Sequence, residues 1–436
     1  MAGDVQETVW RVGLTAFKGP LWKHREFLKF WTADTVTQFT GQFTDLALPT
    51  VAVLTLQVTA FQLGVLNALG FIAFPTLGLF VGVWMDRMKR RPVMVIANLV
   101  QVATLASVPV AYVLGVLGLY QLYAVALIMG TTTLFFDVAY QSYLPSLVNK
   151  EDVVEGNQKL QTSASGAQVI GPSLASALMQ VTGAALSFIV DVFGTLVAAF
   201  MLLSISKHEP SPASSSKESK RDFFAEMREG IRTITGNSLL WTQAGCTATS
   251  NLGSNIFFVA VFLYAYRVLG ISKGVIGIAF SMGAVGFLLG VLVTSAVTRR
   301  LGLGRTIALS ISGNFALLIV LLANGSLAVF VIGAALFLSS FGIPIYNINQ
   351  VSLRQIITPN RLQGRMNATM RTIVWGTIPV GSLLGGIFAT SFGIIPTLII
   401  GSLVSGGAIL WIVLGPIFKL TKQPEPAKEE APPPTG

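Results

Sequence analysis

Four aspartates, Asp34, Asp45, Asp137 and Asp191, stand inside long apolar stretches. An ionised carboxylate is expensive at that depth in hydrocarbon, so each acid there marks function before it marks packing. In the first stretch Asp34, Gln38, Gln42 and Asp45 fall within about 80° of arc at about 100° per residue, a polar stripe that must face protein or water. A carboxyl in such a place can load a proton on one side of a membrane and release it on the other as its hydration changes. Asp45, a little beyond the middle of its stretch, is the first choice for that role and Asp34 the second. Asp191 and Asp137 follow, each with the alternative of an acid simply hydrogen-bonded to neighbouring helices.

From Gly230 to Pro424 there is no Asp or Glu at all. Any proton-carrying carboxylate therefore belongs to the first half of the chain. The second half answers with Asn251 and Asn255, one helical turn apart, and with Asn347 and Arg371. The amides are equally suited to interhelical hydrogen bonding. Arg371 sits toward the inner end of its stretch, where an arginine can snorkel to the surface. With the aspartates then dominating the interior, a cationic or neutral amphipathic guest is favoured over a strongly anionic one. One cysteine, Cys246, leaves no internal disulfide, and His24 and His208 flank the apolar region, so no metal site and no cofactor is expected. A phosphate-cradling glycine-lysine-serine loop is missing, which argues against ATP-driven work by this chain alone. No nucleophile-base pair suggests an enzyme.

These residues must be positioned by membrane-spanning helices. Of 436 residues, 53% are hydrophobic and 11% charged, against roughly a quarter charged in a soluble domain. Backbone groups in lipid are satisfied only by helices or closed barrels, and runs of about 20 apolar residues select helices. Spans are expected at 27–54, 60–84, 93–116, 120–144, 157–181 and 183–205, then at 239–266, 274–297, 305–323, 327–347, 367–391 and 394–417. The net charge of +10 resides in the short connections, so it reads as membrane orientation rather than as nucleic-acid binding. Nearly all cations then fall on one side, which places both termini in the cytoplasm of a multi-pass chain. Residues 1–26 read as an amphipathic lead lying on the bilayer, without a removable signal peptide. Residues 27–205 and 239–417 form two six-helix halves, 206–238 a linker with a surface helix, and 418–436 a disordered tail. Shifts of 208 to 210 residues superpose the halves, laying Asp45 on Asn255, Gly171 on Gly381 and Arg90-Arg91 on Arg299-Arg300.

Between the second and third spans runs Gly82-Val-Trp-Met-Asp86-Arg87-Met-Lys89-Arg90-Arg91. The pattern G-x-x-x-D-R-x-K-R-R in that place resembles the signature loop of the major facilitator superfamily. Tyr140-Gln-Ser-Tyr-Leu-Pro145, Glu155-Gly-Asn157, Gly171-Pro172, Asp191, Pro359-x-Arg361-Leu-x-Gly364-Arg365-x-Asn367 and Trp375-Gly376-x-x-Pro379 resemble the drug:proton antiporter group within it. That group includes macrolide and tetracycline efflux proteins and the enterobactin exporter. The resemblance implies an all-α fold of twelve transmembrane helices in two halves, working as a monomer in the bacterial cytoplasmic membrane. It implies export of a small amphipathic molecule against protons, with siderophore or lysolipid export, or sensing without transport, as alternatives. It gives Gly82, Asp86, Arg87, Arg90 and Arg91 a role in conformational switching, and Gly171 and Pro172 one in close helix packing.

Overall fold

The computed structural model describes residues 20–149, 152–206, 223–421 and 424. The lead before residue 20, linker residues 207–222 and the tail from residue 422, Pro424 excepted, lie outside the described residues, as do the side chains of Gly82, Asp86, Arg87 and Arg361. Every long element among them is helical: α1 (Arg25–Thr50), α2 (Ala60–Phe71), α3 (Ala73–Arg87), α4 (Arg90–Val113), α5 (Leu119–Leu147), α6 (Val153–Thr182) and α7 (Ala184–Leu203) come first. Then follow α8 (Phe223–Thr235), α9 (Ser238–Leu263), α10 (Ile276–Leu301), α11 (Leu303–Ser312), α12 (Ala328–Ile357), α13 (Asn360–Ser391), α14 (Ile394–Gly407) and α15 (Ile409–Leu414). Among the described residues, 10 stretches are long and apolar enough to cross a membrane. The long helices α1 and α6 fall short of that apolarity because they carry the polar stripe and the Gly171-Pro172 segment. With them the spans number twelve, in agreement with the sequence.

The duplication is written in the backbone, in a register the sequence shifts miss. His24 and Asn237 cap the 26-residue helices α1 and α9 through their side chains. Both helices run straight into five-residue π turns, Val51–Thr55 and Tyr264–Val268. Gln57 and Gly270 then take positive φ, at 49° and 62°. All these pairs lie 213 positions apart, so Gln38 corresponds to Asn251, Gln42 to Asn255 and Asp34 to Thr247. Asp45 corresponds to Phe258, which corrects the match to Asn255. Later in each half the offset relaxes to 210, where Gly115 pairs with Gly325 and Gly183 with Gly393, each at positive φ in a connection. Only glycine enters that region without steric cost, so these turns fix where one span ends and the next begins.

The chain forms two compact units, one of residues 1–57, 77–216 and 272–281, the other of 58–76, 217–271 and 282–436. Within the first, α1 packs on α6 and α7, and α4 on α5 and α7. Lipid gives apolar helices no reason to associate, so small residues that admit close backbone approach must do it. A Cβ on Gly194 of α7 would lie 2.2 Å from Thr40 Cγ2 of α1, and one on Gly277 would lie 2.0 Å from the Pro172 carbonyl of α6.

Within the second unit, α9 lies against α13 and α14, α2 against α13, and α12 against α11 and the 3-10 stretch Gly313–Leu322. Helix α8 docks on the start of α13. Glu229 pairs with Arg365, Ile234 is buried with Leu240, Met366 and Met370, and a Cβ on Gly230 would strike Thr369. A close crossing lies at Gly253, whose added Cβ would lie 2.2 Å from the Ser405 backbone nitrogen. Backbone cannot step aside as a side chain can, so Gly253→Val is expected to lower the thermal midpoint of the detergent-purified protein, at a cost of roughly 1–3 kcal/mol.

Candidate functional site

In the first unit, α1 turns its stripe onto α5 at one depth and onto α6 and α7 at another. Asp34 is 1% exposed. Its Oδ1 accepts a long bond from Gln38 Nε2 at 3.4 Å, while Oδ2 is buried without a hydrogen bond of normal geometry. Tyr140 and Asp137 of α5 are its electrostatic neighbours, and Phe30 and Phe136 stack on the Tyr140 ring. This is a carboxyl group walled by aromatic rings, with a second acid and a phenol beside it. A group in such surroundings changes its protonation when water reaches it or leaves.

Asp191 is held differently. Its Oδ2 accepts from Thr44 and its Oδ1 from Thr195 at 3.1 Å, with Thr40 alongside. These hydroxyls satisfy the carboxylate and tie α7 to α1, so Asp191 is geometrically a packing residue. Asp45 is exposed and has Asp191 as its charged neighbour. Gln42 packs on Gly171, where an added Cβ would lie 2.6 Å from Gln42 Cγ. The glycine is thus what lets α6 approach the stripe, and the adjoining Pro172 supplies the carbonyl that crowds Gly277.

The basic hairpin has a partner in the same unit. Arg91 Nε donates to the Leu202 carbonyl at 2.8 Å and its guanidinium also donates to the Leu203 carbonyl. Lys29 Nζ donates to the Ser204 carbonyl at 2.5 Å, and Glu26 accepts from Ser206 N at 2.6 Å. Two cations therefore neutralise the orphan carbonyls at the end of α7, where the helix dipole is negative. Arg90 is part-buried and hydrogen-bonds or pairs elsewhere.

In the second unit no acid stands at the register position of Asp34. Thr247, which takes that position, bonds the Tyr346 hydroxyl at 2.6 Å, a tyrosine one turn away from the register counterpart of Tyr140. Asn251 Nδ2 donates to the Val374 carbonyl of α13 at 3.2 Å and Asn255 Nδ2 to the Asn251 carbonyl at 2.8 Å. Both amides are thus engaged with backbone. Asn347 is exposed. Arg371 departs from the snorkelling expectation: its guanidinium lies over the Trp375 ring, 4.6 Å from the centroid, and 6.0 Å from that of Phe74. Tyr140 and Thr247 are the site residues that sequence reasoning passed over. Tyr140 was legible only as part of a family motif, with no site role, and Thr247 gains meaning only from the 213-residue register. Among the described residues no group of His, Cys, Asp and Glu could hold a metal ion.

Comparison with known proteins agrees with this architecture. The family profile described as Major Facilitator Superfamily matches residues 31–378. Macrolide efflux protein A of Streptococcus pyogenes is 23% identical over 92% of this chain and 98% of its own. Enterobactin exporter EntS of Citrobacter koseri is 24% identical over 66% of this chain and 67% of its own. Among solved structures, nucleoside transporter NupG superposes with a TM-score of 0.70 at 14% identity, over 89% of this chain and 98% of that one. An inward-facing bacterial homologue of the iron transporter ferroportin gives 0.70 at 17% identity, over 89% and 98%.

Proposed function

The chain belongs to the Major Facilitator Superfamily, and from that premise we propose that it exports an amphipathic small molecule across the bacterial cytoplasmic membrane in exchange for protons. It works by alternating access, with both termini in the cytoplasm, and as a transporter rather than an enzyme. The efflux activities named for its macrolide and enterobactin relatives support the direction of transport. The observation that carries the proton half of the reading is the buried Asp34 carboxyl with Tyr140 and Asp137, set against a second unit in which Thr247, bonded to Tyr346, takes the register position of Asp34 and no acid stands there.

In this reading Asp34 binds a proton in one state and gives it up in another, because rearrangement of the helices around it changes its hydration. Binding of substrate and of proton are linked in this reading, since each shifts the same equilibrium between states. The test is a proton-flux assay in proteoliposomes over a panel of macrolides and other amphiphiles. The expected result is proton movement on substrate addition that requires the protein and collapses with a protonophore. Export that persists unchanged after the proton gradient is dissipated would remove proton coupling from the proposal.

A further inference from the structure

Arg371 is a cation with an unusual set of neighbours. It stands six residues past Arg365, where the apolar span Arg365–Ser391 begins, so about 9 Å along the axis at about 1.5 Å per residue. Its side chain is only part-buried and lies on the faces of Trp375 and Phe74. Among the described residues it makes no hydrogen bond and no ion pair, and no acid exists anywhere between Gly230 and Pro424 to supply one. The surrounding polar groups are already committed, since Asn251 donates to the Val374 carbonyl one turn away. Thr377 donates to that same carbonyl at 2.8 Å.

A guanidinium at that depth is costly unless an anion meets it. Stacking on aromatic faces orients its planar fork and leaves the edge, with its N–H donors, free for a planar bidentate acceptor. We infer that Arg371, cradled by Trp375 and Phe74, is the docking point for a carboxylate or similar planar anion on the transported molecule, whose aromatic or apolar body lies against the same two rings. The inference rests on the transport reading above and narrows its substrate class to acidic aromatic amphiphiles. It reverses the preference for a cationic guest, which depended on Arg371 reaching the surface.

The test uses three probes with one ring system and different head groups: naphthaleneacetate, naphthaleneacetamide and naphthylmethylamine. Equilibrium binding is measured on the purified full-length protein in nanodiscs, with empty nanodiscs as the blank. The acid is expected to bind at least about tenfold more tightly than the amide or the amine, as a charge-assisted bidentate contact allows. Arg371→Gln should erase that advantage and leave amide binding unchanged, while Arg371→Lys should keep part of it. A monodisperse elution profile for each variant shows that it is folded. Equal or tighter binding of the amine, no measurable binding of the acid, or acid binding indifferent to Arg371→Gln would each overturn the inference. Because binding needs no proton gradient, Arg371-dependent binding of the acid without substrate-driven proton flux would leave the inference standing and remove only proton coupling.

Discussion

Asp34→Asn should reduce uphill, proton-driven export by at least about a hundredfold, the lower end of what a single proton-transferring group contributes, while downhill exchange and substrate binding survive. The amide keeps the volume of the carboxyl and can still accept from Gln38, but it cannot titrate. The rings of Phe30, Phe136 and Tyr140 keep their mutual packing, while the electrostatic link to Tyr140 and Asp137 is lost with the charge. Asp45→Asn, at an exposed position, should cost less. Asp191→Asn should act mainly on stability, since an amide in place of a carboxylate that accepts from Thr44 and Thr195 turns one acceptor into a donor. Substrate-driven vesicle acidification that survives in both Asp34→Asn and the Asp34→Asn, Asp45→Asn double variant would move the coupling site to Asp137 or Asp191.

Replacing Arg90 and Arg91 together by Gln should slow transport about tenfold and leave substrate affinity within about twofold of the parent. Arg91 caps the Leu202 and Leu203 carbonyls, and a cation at a partly buried helix C-terminus is worth up to about 2 kcal/mol. Those contacts hold one arrangement of the first unit and touch no part of either polar pocket, so their loss changes the balance between states instead of the guest's contacts. Asp86→Asn, in the same hairpin, should act in the same direction. Rates and affinities measured on the same preparations decide the matter: affinity that falls in step with rate would mean that the hairpin belongs to the binding site.

How much of this was legible beforehand follows from what each inference depended on. The spans were readable because hydrocarbon permits so few backbone arrangements. Even α1 and α6, too polar to qualify on hydropathy, are single long helices where the sequence expects spans at 27–54 and 157–181. The polar stripe was readable because helical phase is fixed over about three turns. The division of labour within it was not, since whether a given Asp meets threonines, as Asp191 does, or a phenol and a second acid, as Asp34 does, depends on which helix stands opposite. The 210-residue offset holds late in each half but misses the first helix, because matching glycines and arginines weights residues that recur by composition. The caps and π turns that settle it are backbone events. The setting of Arg371 was unreadable for a related reason. Its depth along the span could be counted, but not the two rings that hold it there.

The threonine at position 247 bears on the gearing of the proposed exchange. In the 213-residue register it takes the place of Asp34 and bonds Tyr346, and no Asp or Glu lies between Gly230 and Pro424. A cycle driven by one proton through Asp34 would draw about 2.3 kcal/mol per 100 mV of driving potential. That corresponds to a ceiling of roughly fiftyfold in the concentration ratio of a neutral guest for every 100 mV, and a guest that leaves as an anion is further assisted by an inside-negative potential. A single-geared exporter of this kind trades steepness of gradient for economy of protons, which suits the clearance of molecules that arrive in small amounts and need only be kept moving outward.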